Sequence, residues 1–113
     1  LHASEIIHRD IKLDNILVDT DLNIKVIDFG FAIQIQRGSK LNIFCGTPNY
    51  MSPEILAKKE YYGQPSDVWA AGIVLYAILN GTFPFKGGDN KQLYFKISKG
   101  IFEFINTNVS TNC

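Results

Sequence analysis

The sequence predicts an α+β fold, mainly α-helical, with one short β-hairpin beside a polar loop. Three patterns carry this. The β-branched runs Ile16-Leu17-Val18 and Ile24-Lys25-Val26-Ile27 flank the turn-forming cluster Asp19-Thr20-Asp21-Leu22-Asn23, as the strands and turn of a hairpin do. An apolar stretch beginning near Ser66-Asp67 runs to Asn80 and meets Gly81, a helix with its stop signal. A further stretch opens at Asp89 and closes before Gly100.

In chain order, the hairpin is expected to hold Asn15 at the entrance of one strand and Asp28 at the exit of the other. Both oxygens then face one site. Leu17 is expected in the core of the hairpin. Residues 31 to 49 lack clean periodicity and contain Gly38, Ser39 and Gly46, so they read as a long loop; such loops in compact domains are usually functional or mobile. Pro53-Glu54-Ile55-Leu56-Ala57 opens a short helix with proline at an early position, where its missing N–H costs nothing. In the long helix, Val68, Trp69, Ile73, Val74, Leu75, Tyr76, Ile78 and Leu79 point all round, so it is expected to be central and buried, with Asp67 as its cap. The last helix has Asp89 and Gln92 as a capping pair. Its Leu93 and Ile97, one turn apart, are expected to pack.

Chemistry concentrates in the loop before the hairpin. Asp10 offers a proton acceptor, Lys12 a cation, and Asn15 and Asp28 hard oxygen ligands suited to Mg²⁺. Transfer of a phosphoryl group needs these groups, because the protein mainly positions the partners and neutralises charge on the phosphate oxygens.

The segments His8-Arg9-Asp10-Ile11-Lys12-Leu13-Asp14-Asn15, Asp28-Phe29-Gly30 and Ser52-Pro53-Glu54 together resemble the ordered signatures of the eukaryotic protein kinases. Gly46-Thr47-Pro48-Asn49-Tyr50-Met51 and Asp67-Val68-Trp69-Ala70-Ala71-Gly72 are similar to segments of the kinase large, C-terminal lobe, and the resemblance covers nearly the whole chain. Lys12 and Thr47 are what the serine/threonine-specific branch carries. The wording of the motifs, with Asn80-Gly81-Thr82-Phe83-Pro84-Phe85, is loosely similar to the calcium/calmodulin-dependent and AMP-activated kinase branch.

The resemblance implies a set of roles. Asp10 positions and deprotonates the acceptor hydroxyl, Lys12 stabilises the phosphoryl group of ATP, Asn15 and Asp28 hold Mg²⁺, Leu17 lies against the adenine, and Thr47 hydrogen-bonds in the catalytic loop. His8 is structural and stacks near Phe29, Arg9 holds the activation segment at residues 31 to 49, and Asp67 bonds the catalytic-loop backbone from beneath. The partner is a protein carrying a Ser or Thr acceptor. Two departures matter. Ile43 stands where activated members often carry a phosphorylatable threonine, so no phosphate of about −1.5 to −2 charge can form there, and Arg9 is expected to be held otherwise. Ala77 stands where members preferring arginine upstream of the target often carry glutamate, which argues against a strong basic-motif preference. Ser52 in place of the usual alanine is a small change expected to fit.

At 113 residues with 46% hydrophobic content, the chain can form one core and reads as one partial protein kinase domain over residues 1–113. It is expected to be a fragment. Leu1 to Ile7 looks like the tail of the helix leading into the catalytic loop, Asn106 to Cys113 is a polar stretch where the lobe would continue, and no glycine-rich phosphate loop or strand lysine is present. The N-terminal lobe is therefore required for activity, Glu54 is expected to lack its usual arginine partner, and the isolated piece is expected to be poorly stable. Lys+Arg and Asp+Glu balance at 11 each, giving no basic footprint for nucleic acid. The apolar stretch Val68 to Leu79 is too short for a bilayer span. Cys45 and Cys113 are far apart and form no disulfide framework, which favours an intracellular, cytoplasmic setting; Cys45 reads as a small packing residue.

Two other functions compete with a serine/threonine protein kinase. A pseudokinase scaffold is disfavoured by retention of Asp10, Lys12, Asn15 and Asp28. A small-molecule phosphotransferase has no use for the Gly46 to Glu54 segment, which by resemblance receives a protein substrate.

Overall fold

The computed structural model describes residues 1–105 and 110. The chain runs through a 3₁₀ turn at His2–Ser4, strand β1 (Ile6–Ile7), a second 3₁₀ turn at Leu13–Asn15, and strands β2 (Ile16–Val18), β3 (Ile24–Val26) and β4 (Ile33–Gln34). A third 3₁₀ turn at Pro48–Tyr50 precedes helices α1 (Pro53–Leu56), α2 (Gly63–Asn80) and α3 (Asn90–Lys99). Helices with small antiparallel sheets are the α+β class the sequence indicated.

The hairpin forms as expected, with Ile16 opposite Val26, Leu17 opposite Lys25 and Val18 opposite Ile24. Its turn is built by Asp19, whose carboxylate accepts from the backbone N–H groups of Asp21 and Asn23. One expectation fails here: Leu17 is 51% exposed. A two-stranded ribbon has no second layer of its own, so the side chains on its faces stay in solvent unless another element covers them.

The segment read as a helix tail is a 3₁₀ turn followed by β1, which pairs antiparallel with β4. The long loop therefore contains one short strand, as well as an isolated bridge between Leu41 and Tyr61. This second sheet ties the start of the chain to residues 33–34. Ile7 is fully buried, and a Cβ on Gly63 would come within 2.6 Å of its side chain. Only glycine lets the first turn of α2 approach β1 so closely.

Helix α2 starts earlier than the sequence indicated. Its N-cap is Tyr62, and Pro65 sits in the first turn, where the backbone N–H has no intrahelical partner to lose. Asp67 is therefore inside the helix and does not cap it. Nor is α2 buried all round: Ile73, Val74, Tyr76 and Ala77 are buried, but Val68, Leu75 and Ile78 are 50% exposed or more. The helix ends at Gly81, which takes the left-handed conformation at φ 67°.

The main core joins α2 and α3 through Tyr50, Ala70, Ile73, Val74, Phe85, Leu93 and Ile97. Trp69 and Phe85 stack beside it. The expected packing of Leu93 and Ile97 is present, as is the capping pair: Asp89 accepts from the Gln92 N–H, and Gln92 Oε1 accepts from the Gly88 N–H. A smaller cluster of Leu41, Met51, Ile55 and Tyr61 lies under the long loop. No described helix is long and apolar enough to cross a membrane. The polar stretch from Asn106, with Cys113, falls outside the described residues apart from Ser110.

Candidate active site

Asp67 anchors the loop from His8 to Asn15. Its Oδ2 accepts from the His8 N–H and its Oδ1 from the Arg9 N–H, each at 2.9 Å. These bonds hold Arg9 at φ 68°, a left-handed conformation costly for a side-chain-bearing residue. His2 Nε2 lies 2.9 Å from Asp67 Oδ2, a third contact that sequence spacing gave no signal for. The expected bond from Asp67 to the loop backbone is thus present, while its expected capping role is not.

His8 is fully buried and uses both ring nitrogens. Nε2 donates to the Ile27 carbonyl at 3.1 Å, and Nδ1 accepts from the Asp10 N–H at 3.3 Å. The ring also meets Phe29 edge-on, with centroids 5.0 Å apart. One imidazole thereby couples the backbone of Asp10 to the segment that carries Asp28.

Asp10 is 6% exposed and is surrounded by donors. Lys12 Nζ lies 2.7 Å from Oδ2, the Thr47 hydroxyl donates to Oδ1 at 2.9 Å, and Asn15 Nδ2 donates to the Asp10 carbonyl at 2.8 Å and to Oδ2 at 3.3 Å. Burial pushes the Asp10 carboxyl up, but hydrogen bonds from Lys12, Thr47 and Asn15 with the Lys12 charge outweigh it and hold the group below its usual range. The same hydrogen bond to Asp10 raises Lys12, against its partial desolvation. Asp10 is consequently a carboxylate throughout the neutral range. It can orient a hydroxyl and accept its proton as that oxygen becomes strongly acidic.

Four of the sequence-derived residues, Asp10, Lys12, Asn15 and Thr47, are thus brought into one hydrogen-bonded group. Asp28 stands at the exit of β3 at φ 60°, exposed, with Oδ1 accepting from the Gly30 N–H. The Ile27 N–H donates to the Asn15 carbonyl at 2.9 Å, which fixes the two ends of the hairpin against each other. Since Asn15 spends its amide nitrogen on Asp10, its side-chain oxygen is left for another partner. Two hard oxygens, one amide and one carboxylate, fit Mg²⁺, which keeps waters and phosphate oxygens as its other ligands. Among the described residues no group of three His, Cys, Asp or Glu side chains makes an all-protein metal cage. Leu17 joins none of these hydrogen bonds and lies on the exposed hairpin.

Arg9 Nε donates to the Phe31 carbonyl. Its Nη1 is buried with no hydrogen-bond partner among the described residues, and Ile43 is 44% exposed. Glu54 is half-buried and makes no ion pair among the described residues. Ser52 fits but with a cost, since it is fully buried and its hydroxyl has no partner among the described residues.

The protein kinase domain family matches residues 1–113. The chain is 46% identical over 101 residues to NUAK family SNF1-like kinase 2 from Rattus norvegicus and from Homo sapiens, covering 89% of this chain and 16% of each relative. It is also 46% identical over 99 residues to NUAK family SNF1-like kinase 1 from Mus musculus, covering 88% of this chain and 15% of that protein. The chain therefore spans about a sixth of the length of the curated relatives it matches. A family match over its whole length and relatives this similar establish that the chain belongs to the protein kinase domain family.

Proposed function

We propose that the full protein containing this chain is a serine/threonine protein kinase and that the chain supplies part of its large lobe, with the N-terminal lobe required to complete the nucleotide cleft. The observation that carries the proposal is the Asp10–Lys12–Thr47–Asn15 group, in which a buried carboxylate, a cation and a hydroxyl from the long loop meet on hydrogen bonds. That set suits transfer of the ATP γ-phosphoryl group to a Ser or Thr hydroxyl of a protein substrate.

In this reading the hydroxyl oxygen attacks the γ-phosphorus, its proton passes to Asp10, and the bond to the ADP oxygen breaks. Lys12 offsets negative charge on the phosphoryl oxygens. Asn15 and Asp28 hold Mg²⁺, which neutralises phosphate charge when bound. Leu17, bare on the hairpin, suits the face of the adenine. Thr47 sets the orientation of Asp10 and Lys12 together, since its hydroxyl bonds the first and lies 3.4 Å from the second. The protein acts in the cytoplasm.

The test is phosphate transfer by the full-length protein from labelled ATP with Mg²⁺ to Ser- and Thr-containing peptides. Asp10→Asn is expected to lower kcat by roughly 10²–10⁴-fold, with the nucleotide still bound. Binding of ATP and Mg²⁺ by the unaltered protein without any transfer would replace the kinase reading with the scaffold one.

A further inference from the structure

A cavity of about 240 Å³ opens beside the long loop, away from the Asp10 group. Its floor is Ile55 and Tyr61, both buried, its walls are Ile43 and Phe44, and its rim carries Lys58 and Lys59. Among the described residues no carboxylate lines it. Lys58 lies over the Phe44 ring, 5.5 Å from the centroid, and neither rim lysine makes an ion pair among the described residues. The neighbouring acidic residue, Glu60, is engaged elsewhere, with Oε2 3.9 Å from Lys40 Nζ. The Tyr61 hydroxyl donates to the Ile43 carbonyl at 2.9 Å, so the wall is fixed to the floor.

We propose that this cavity receives an acidic side chain, Asp or Glu, of the protein substrate, and that Lys58 and Lys59 set this preference; the inference rests on the kinase reading above. Apolar walls suit the methylenes of such a side chain, and two ammonium groups at the mouth, without an ion pair among the described residues, suit its carboxylate. The cavity also lies within reach of the transfer site. Ile43 and Thr47 are four residues apart, so their Cα atoms are separated by at most about 14 Å, and Thr47 donates directly to Asp10. An extended peptide rises about 3.4 Å per residue, which places the acidic residue within about four positions of the acceptor.

The experiment is a positional peptide library phosphorylated by the full-length protein, with kcat/KM then measured for single peptides bearing Asp, Ala or Lys at the selected position. The unaltered protein is expected to favour Asp over Ala by about fivefold, the scale of a few exposed charge pairs, and the ratio is expected to fall with added salt. Lys58→Ala with Lys59→Ala is expected to bring the ratio to about one, and Lys59→Glu to tilt it toward Lys. Both sites are exposed, and a melting curve checks that each variant is folded. Absence of any acidic preference within four positions, or a preference that survives both variants, would overturn the inference while peptide phosphorylation itself continued. Failure of the unaltered protein to phosphorylate any peptide would overturn the kinase reading and this inference with it.

Discussion

The polar loop from His8 to Asn15 and the hairpin that follows it are neighbours in sequence with opposite surroundings. In the loop the polar residues His8, Asp10 and Asn15 are buried, while in the hairpin the apolar residues Leu17, Val18 and Ile24 are more than half exposed. The difference lies in where each segment finds its partners. The loop is bonded by side chains distant in sequence, Asp67 from α2 and Thr47 from the long loop. The hairpin pairs mainly with itself. A buried polar group left without a partner costs about 1–3 kcal/mol, so removing one distant tether should damage the loop far more than a polar change would damage the hairpin.

The largest effect is expected at Asp67. In Asp67→Ala the His8 and Arg9 N–H groups lose their charged acceptor together, and with it goes the backbone bond that favours positive φ at Arg9. Bonds to charged groups are worth about 1.5–3 kcal/mol each, so the full-length protein should lose about 3 kcal/mol or more in denaturant unfolding of the domain that contains this chain. A loss below about 1 kcal/mol would break the comparison, because it would mean that the loop is held by its own backbone.

A smaller effect, confined to the ends of the pH scale, is expected from the Asp10–Lys12 pair. The Asp10 carboxyl lies below its ordinary value, so its contribution is fully present above that value and is lost as pH falls through the folded one. Lys12 lies above its ordinary value, so its contribution is present below that value and is lost as pH rises through the folded one. The stability difference between the unaltered protein and Lys12→Met should therefore be flat through neutrality and shrink on both flanks. Unfolding curves across pH check this, and a maximum near neutral pH with no plateau would show that other groups dominate.

How far the sequence foretold these two regions depended on whether the deciding contacts were local. The hairpin, the capping pair at Asp89 and the stop at Gly81 are short-range patterns, and each formed as read. The residues that meet at the site were recognisable because their spacing matches a family, although spacing alone does not reveal that Thr47 reaches Asp10. Local reasoning misled at Asp67, whose position before an apolar run looks like a cap. Its carboxylate instead serves backbone groups at His8 and Arg9, on a distant stretch of chain. The pairing of β1 with β4 involves two residues on each side, too few for any periodicity to show, and the contact of His2 with Asp67 left no trace in sequence. Exposure was the least legible property. Isoleucine and valine occur both in Ile16-Leu17-Val18 and in the buried part of α2, and composition does not say which of them another element covers.

The smallest effect sharpens this last point. Val18→Thr and Ile24→Thr lie on facing residues of the hairpin, with side chains 62% and 69% exposed. Threonine keeps the β-branched shape that strands favour, so Val18→Thr changes polarity and little else, while Ile24→Thr also removes one terminal methyl. If the hairpin stays bare in the full-length protein, each should shift stability by no more than about 0.5 kcal/mol, as exposed substitutions do. If another part of the protein covers it, each hydroxyl buried without a partner should cost about 1–3 kcal/mol. Thermal unfolding of the two variants in the full-length protein separates these cases. A cost at Ile24 with none at Val18 would further place the covering element over the β3 side of the ribbon.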